Sequence, residues 1–137
     1  MKNKLVILLA FLIIPALSFA RQTGKYSAAG IDNDAAVETF FLDMQKAVSK
    51  DDRAIVASMI NYPVKVYGEG RTTVISKESD LLKKYDSVFT PQVKKVLAKQ
   101  TISDLFVNGQ GVMVGNGEIW FNQLANGNNI RIITINN

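Results

Sequence analysis

The 137-residue chain contains no cysteine and no histidine. Without an imidazole or a thiol, Ser-His-Asp and Cys-His catalysis have no base or nucleophile. The same absence removes the Cys/His ligand sets of zinc sites, and neither a phosphate loop nor a dinucleotide fingerprint occurs. No metal and no cofactor is expected. Disulfides are excluded as well, so stability must come from the core alone. Any reaction chemistry would have to run on carboxylates, tyrosines or lysines.

What is present begins with an export signal. Met1-Lys2-Asn3-Lys4 is cationic, Leu5 to Leu17 is almost unbroken hydrocarbon, and Ser18-Phe19-Ala20 places small residues at both cleavage-determining positions. This layout predicts a signal peptide over 1–20, cut between Ala20 and Arg21. The apolar run falls short of the about 20 residues a bilayer span needs, and Pro15 interrupts it. A cleaved leader is expected rather than an anchor, which puts the mature chain in the periplasm, with secretion as the alternative, and leaves it no membrane attachment. Once Lys2 and Lys4 leave with the signal, the 16 basic residues fall to 14 against 12 acidic ones, a formal net charge of +2. That near balance lacks the concentrated basic stripe that binds phosphate backbones, so nucleic acid is not an expected partner.

The rest fits one domain. Residues 21–31 hold few large apolar side chains and read as a flexible leader ahead of a domain over 32–137. Val37, Phe40, Phe41, Met44, Ala47 and Val48 recur at helical spacing, with Asp32, Asn33 or Asp34 available as a cap. After Ser49-Lys50 a shorter helix follows, capped by Asp51 or Asp52 and carrying Ile55, Val56, Met59 and Ile60, until Asn61-Tyr62-Pro63 ends it. Val64 to Tyr67 and Thr72 to Ile75 alternate as a hairpin around Gly68-Glu69-Gly70. Ser76 is a candidate cap for a third helix through Leu81, Leu82, Tyr85 and Val88, and Thr90-Pro91 opens a further turn or two. Four β-type segments close the chain: 101–107, 111–114, 118–121 and 129–135. The Asn-Gly pairs at 108–109, 116–117 and 126–127 between them predict an antiparallel meander. Gly115-Asn116-Gly117 is alternatively a bulge within one bent strand.

Helix, helix, strand pair, helix and terminal meander, with Pro63-Val64 starting the first strand and Leu81-Leu82-Lys83-Lys84-Tyr85-Asp86 closing the third helix, resembles the NTF2-like superfamily. That group includes nuclear transport factor 2, ketosteroid isomerase and SnoaL-like proteins. The stretches Asp104-Leu105-Phe106-Val107-Asn108 and 111–121 are similar to those of small secreted bacterial members. The resemblance implies an α+β cone: N-terminal helices on a strongly bent antiparallel sheet of four to six strands. It also implies a homodimer through the exposed sheet face. Its enzymatic residues carry over poorly. Isomerase-like members place a carboxylate immediately before the strand-opening proline, where this chain has Tyr62, and dehydratase-type members rely on histidine.

The candidate residues are few. As a strand, 101–107 places Asp104 on one face with Ile102 and Phe106, and burial there would raise its pKa and fit it for acid or base work. The bland reading is an exposed turn-capping carboxylate. Glu118 shares a face with Trp120, as part of a ligand wall or as a solvated acid beside a core tryptophan. Tyr62, Tyr67 and Tyr85 bring hydroxyls either to the mouth of the cone or to ordinary amphipathic packing. Asp86 caps or bridges, and Lys83, Lys84, Lys94, Lys95 and Lys99 read as a solvated face. The expected function is a non-catalytic module whose pocket of Tyr62, Tyr85, Asp104, Glu118 and Trp120 takes a small apolar or amphipathic ligand or a protein partner. The alternatives are a carboxylate-dependent isomerase, dehydratase or hydrolase using Asp104 or Glu118, and a periplasmic inhibitor or immunity protein.

Overall fold

A computed structural model describes residues 23–137; the segment expected to be a signal peptide, 1–20, and the first two residues of the expected leader lie outside that range. Helix α1 (Asp34–Ser49) is capped by Asn33, whose Oδ1 accepts from Ala36 N at 3.0 Å. Its buried stripe is Val37, Phe41, Met44, Ala47 and Val48, the face that the 3.6-residue period selects. Helix α2 (Arg53–Ser58) is capped by Asp52. It stops before Ile60, because residues 60–68 form strand β1 (Ile60–Gly68) with Asn61-Tyr62-Pro63 inside it. The tripeptide is therefore part of a strand and not a helix terminator. Pro63 has no N–H to give to a ladder, and the pairing of β1 with its neighbour slips between Ile60 and Lys65.

Strand β2 (Arg71–Ile75) completes the hairpin. Helix α3 (Glu78–Val88) starts after Lys77, whose side chain makes no capping bond. Ser76 is thus not the cap, and Glu78 and Asp80 in the first turn complement the helix dipole instead. Helix α4 (Pro91–Lys99) runs for nine residues from Thr90, which accepts from Val93 N. Strands β3 (Phe106–Asn108), β4 (Gly111–Val114), β5 (Ile119–Gln123) and β6 (Ile130–Asn136) follow as antiparallel neighbours. Residues 115–118 form the turn between β4 and β5, so the Gly-Asn-Gly stretch is a hairpin and not a bulge.

The six strands lie in the order β2-β1-β6-β5-β4-β3. The sheet is mixed, not antiparallel throughout, because β6 slots between β5 and β1 and runs parallel to β1, with Val66 beside Ile135. Val64, Val66, Ile75, Val112, Val114, Ile119, Phe121, Ile132 and Ile135 are buried. The period of two gathers them on one face within β1, β2, β4 and β5, and in β6 the register shift against β5 brings Ile132 and Ile135, three residues apart, to the same side. Phe40 of α1 meets Phe121 there with ring centroids 5.3 Å apart.

The leader expectation is corrected by the same core. Ser27–Ala29 form a short 3-10 turn, and Tyr26 and Ile31 on either side of it are both fully buried. Asp34 accepts from Lys25 N at 2.9 Å, and Lys25 Nζ donates to Ile102 O at 2.5 Å. Two large apolar anchors suffice to dock a segment that its average composition marks as loose.

Candidate functional site

The five residues expected to line a pocket sit on β1 (Tyr62), α3 (Tyr85), the turn before β3 (Asp104), the β4–β5 turn (Glu118) and β5 (Trp120). Tyr62 is half-buried, and its hydroxyl donates to Ala57 O at 2.8 Å, satisfying a carbonyl at the end of α2. Tyr85 is buried in α3, stacked on Phe89 with centroids 5.0 Å apart, and its hydroxyl has no partner. Burial pushes both phenols up to about 12, with Glu78 adding to the effect at Tyr62 and Asp51 at Tyr85. Trp120 stands on the other face of the sheet, between the buried Ile119 and Phe121.

The two carboxylates make local bonds at the surface. Residues 101–105 are a turn and not a strand, so Asp104 does not share a sheet face with Phe106. Its Oδ2 accepts from Thr101 Oγ1 at 2.7 Å and its N donates to Thr101 O. Ser103, Asp104 and Thr101 favour such turns because their side chains compete with the backbone for hydrogen bonds. Glu118 accepts from Asn116 N at 2.6 Å, closing the β4–β5 turn. No polar or charged residue is buried among the described residues, and no group of three Asp or Glu that could hold a metal occurs among them.

The contrast between the tyrosines can be tested. Tyr85→Phe removes an unpartnered buried hydroxyl and is expected to leave stability unchanged or raise it by up to about 1 kcal/mol. Tyr62→Phe breaks a made bond and is expected to cost about 1 kcal/mol. Both phenols start from an ordinary value of 10.0 and are raised in the folded chain, so folding favours the neutral ring. Their contribution is fully present below pH 10 and is lost as pH climbs toward 12. Denaturant titrations at about pH 8 and about pH 11 should show a smaller alkaline loss in Tyr85→Phe than in wild type. Equal losses would contradict the burial assigned to this ring.

Arg53 was not singled out by pattern, and it organises the helical side. Its guanidinium forks onto Asp86 (Nη1 to Oδ2 3.1 Å, Nη2 to Oδ1 3.0 Å) and its Nε reaches Asp51 at 3.2 Å. It also covers the Tyr85 ring at 4.6 Å, with Lys94 Nζ at 5.4 Å. Asp86 therefore bridges α3 to α2. The charges satisfy one another, which suits a clamp between helices and leaves no free acid or base. An arginine next to a helix-capping aspartate carries no pattern from which this could be read.

Two features remain open to solvent. The first is the outer sheet face, on which register aligns Phe106, Met113, Trp120, Thr134, Lys65 and Val74, one per strand from β3 to β2. Phe106 is 50% exposed, Val74 53% and Tyr67 40%. None of the six strands contains an Asp or Glu, whereas Lys65 and Arg131 alternate outward. The second is a cleft of about 470 Å³ between the β1–β2 hairpin and the end of α3.

Compared with known proteins, the chain matches no protein-family model and no curated sequence. No described helix is long and apolar enough to cross a membrane.

Proposed function

We propose that this is an exported, periplasmic module of the NTF2-like cone type that docks a protein partner on the bare face of its sheet. Support for the family reading is the element order, two helices, a hairpin, two helices and a meander, together with a sheet of six strands. Support for a binding rather than a catalytic role is the engagement of Asp104 and Glu118 in turn hydrogen bonds. The helix-covered side is filled by Phe41, Met44, Phe89, Phe121 and Ile132, which also disfavours a ligand inside the cone.

The observation that carries the reading is the Phe106–Met113–Trp120 row on adjacent strands; Val74 and Tyr67 lie on the same face beyond Thr134 and Lys65. Contiguous apolar and aromatic residues on a monomer's surface mark interaction sites, and Trp, Tyr, Phe and Met are the types enriched there. The outward charges are Lys65 and Arg131 without an acid, which complements an acidic partner surface. A second copy would bring like charges to the same contact. A periplasmic inhibitor or immunity role is one form of this activity.

A photo-crosslinking residue in place of Phe106, compared with one at Leu82 on the exposed side of α3, tests the proposal in the periplasm. The expected result is a heterologous adduct from position 106 alone, weakened at least about tenfold by Trp120→Ser or Lys65→Glu. Adducts at twice the chain mass would replace the proposed partner with a homodimer. Equal labelling from both positions would remove the sheet face as an interface.

A further inference from the structure

The Asn-Gly pairs at 108–109, 116–117 and 126–127 are alike in sequence, and each carries a latent reaction. The glycine nitrogen gives up its proton to water or hydroxide and attacks the asparagine side-chain carbonyl carbon, Cγ, closing a succinimide ring. A C–N bond forms there, the bond from Cγ to the side-chain nitrogen breaks, and that nitrogen departs as ammonia. Water then opens the ring at either carbonyl and leaves aspartate or isoaspartate. The first step is favoured by a glycine N–H that is not bonded elsewhere and by a side chain folded over that nitrogen. A donor on the oxygen where negative charge develops favours it further.

The fold sets the pairs apart. Gly117 N donates to Val114 O at 3.2 Å and Gly127 N to Leu124 O at 3.3 Å, so both of those nitrogens are engaged. Gly109 N makes no hydrogen bond among the described residues. Asn108 Oδ1 accepts from Gln110 N at 2.8 Å. That bond curls the Asn108 side chain back across the intervening Gly109 amide and sets an N–H on the atom that becomes the oxyanion. Among the described residues the side-chain oxygens of Asn116 and Asn126 accept no such bond. Gly109 is also open: its φ is not positive, and a Cβ there would have only Ala28 O near it, at 4.0 Å. A methyl group fits without strain, so an alanine at 109 alters the chemistry and spares the fold.

We propose that Asn108 is the site at which the folded protein deamidates, through a succinimide formed with Gly109. Strand alternation puts Asn108 on the same side as Phe106, so the product carboxylate is the first acid in a sheet whose six strands hold none. The isoaspartyl form also lengthens the backbone where Asn108 pairs with Gly111. The modification is independent of whichever partner the sheet face takes.

Peptide mapping by mass spectrometry tests this on protein held at mildly alkaline pH, native and in urea, with aspartyl and isoaspartyl products resolved. In the native protein Asn108 is expected to convert about tenfold faster than Asn116 or Asn126, whereas in urea the rates converge. Gly109→Ala should slow conversion at Asn108 about fivefold and leave the other two sites and the Tm unchanged. Isoaspartate is expected at 108, and aspartate alone would mean direct hydrolysis without the ring, which overturns the proposal. Native conversion at 116 or 126 as fast as at 108 would overturn it too. So would an equal lead for Asn108 in urea, which would assign the rate to local sequence and not to the turn.

Discussion

Tyr26→Ala is expected to destabilise the protein by about 3–5 kcal/mol, the range for deleting a large buried aromatic side chain. The residue precedes α1 and belongs to a stretch with little apolar content, yet its ring is fully buried. Its phenol is pushed up to about 12, chiefly by burial and then by the charges of Glu38 and Asp34. That hydroxyl has no partner, so Tyr26→Phe should stay within about 1 kcal/mol of wild type. The two variants separate ring burial from the polar group. Urea denaturation followed by circular dichroism measures both. A loss below about 1 kcal/mol in the alanine variant would mean that this segment is not part of the core.

Gly111→Ala is expected to cost about 3 kcal/mol. Gly111 is buried with φ of +143°, and a Cβ there would stand 2.7 Å from Phe121 O and 3.3 Å from Asn122 Cβ. The closest obstacle is backbone of the paired strand, which cannot swing aside as a side chain can. Gly127 provides the control. It has φ of +149° but nothing within 4 Å of the added carbon, so Gly127→Ala carries the conformational cost alone, about 1–2 kcal/mol. Thermal unfolding of the two variants side by side isolates the clash. Equal shifts in Tm would sink the argument that close strand approach, rather than φ, fixes glycine at 111.

Much of the architecture was legible in residue patterns. The α1 stripe, the hairpin around Gly68–Gly70 and the meander at its Asn-Gly pairs all follow from local periodicity and turn chemistry. Where local rules failed, a longer-range interaction decided. Ile60 continues the apolar pattern of α2, but pairing with Ile132 of β6 draws it into a strand. Thr101 to Leu105 has strand-like composition, but Thr101, Ser103 and Asp104 bond among themselves and hold a turn. Parallel pairing of β1 with β6 has no local signal at all. The candidate site fared differently. Asp104 and Glu118 were found as polar residues among apolar ones, a pattern that a surface turn produces as readily as a pocket. The outer row needed the register of six strands before Phe106, Met113 and Trp120 could be seen as neighbours.

The placement of β6 bears on how the chain reaches its native state. Ile60 waits for Ile132, and Lys65 for Thr134, so the middle of the sheet stays open until residues near 130 are available to pair. Closing so long a loop is slow. Meanwhile two half-sheets expose unpaired strand flanks, the kind of surface through which partly folded chains aggregate. Holding by a chaperone during that interval, and a marked fall in yield when β6 is weakened, are the expected outcome for a protein whose keystone arrives late.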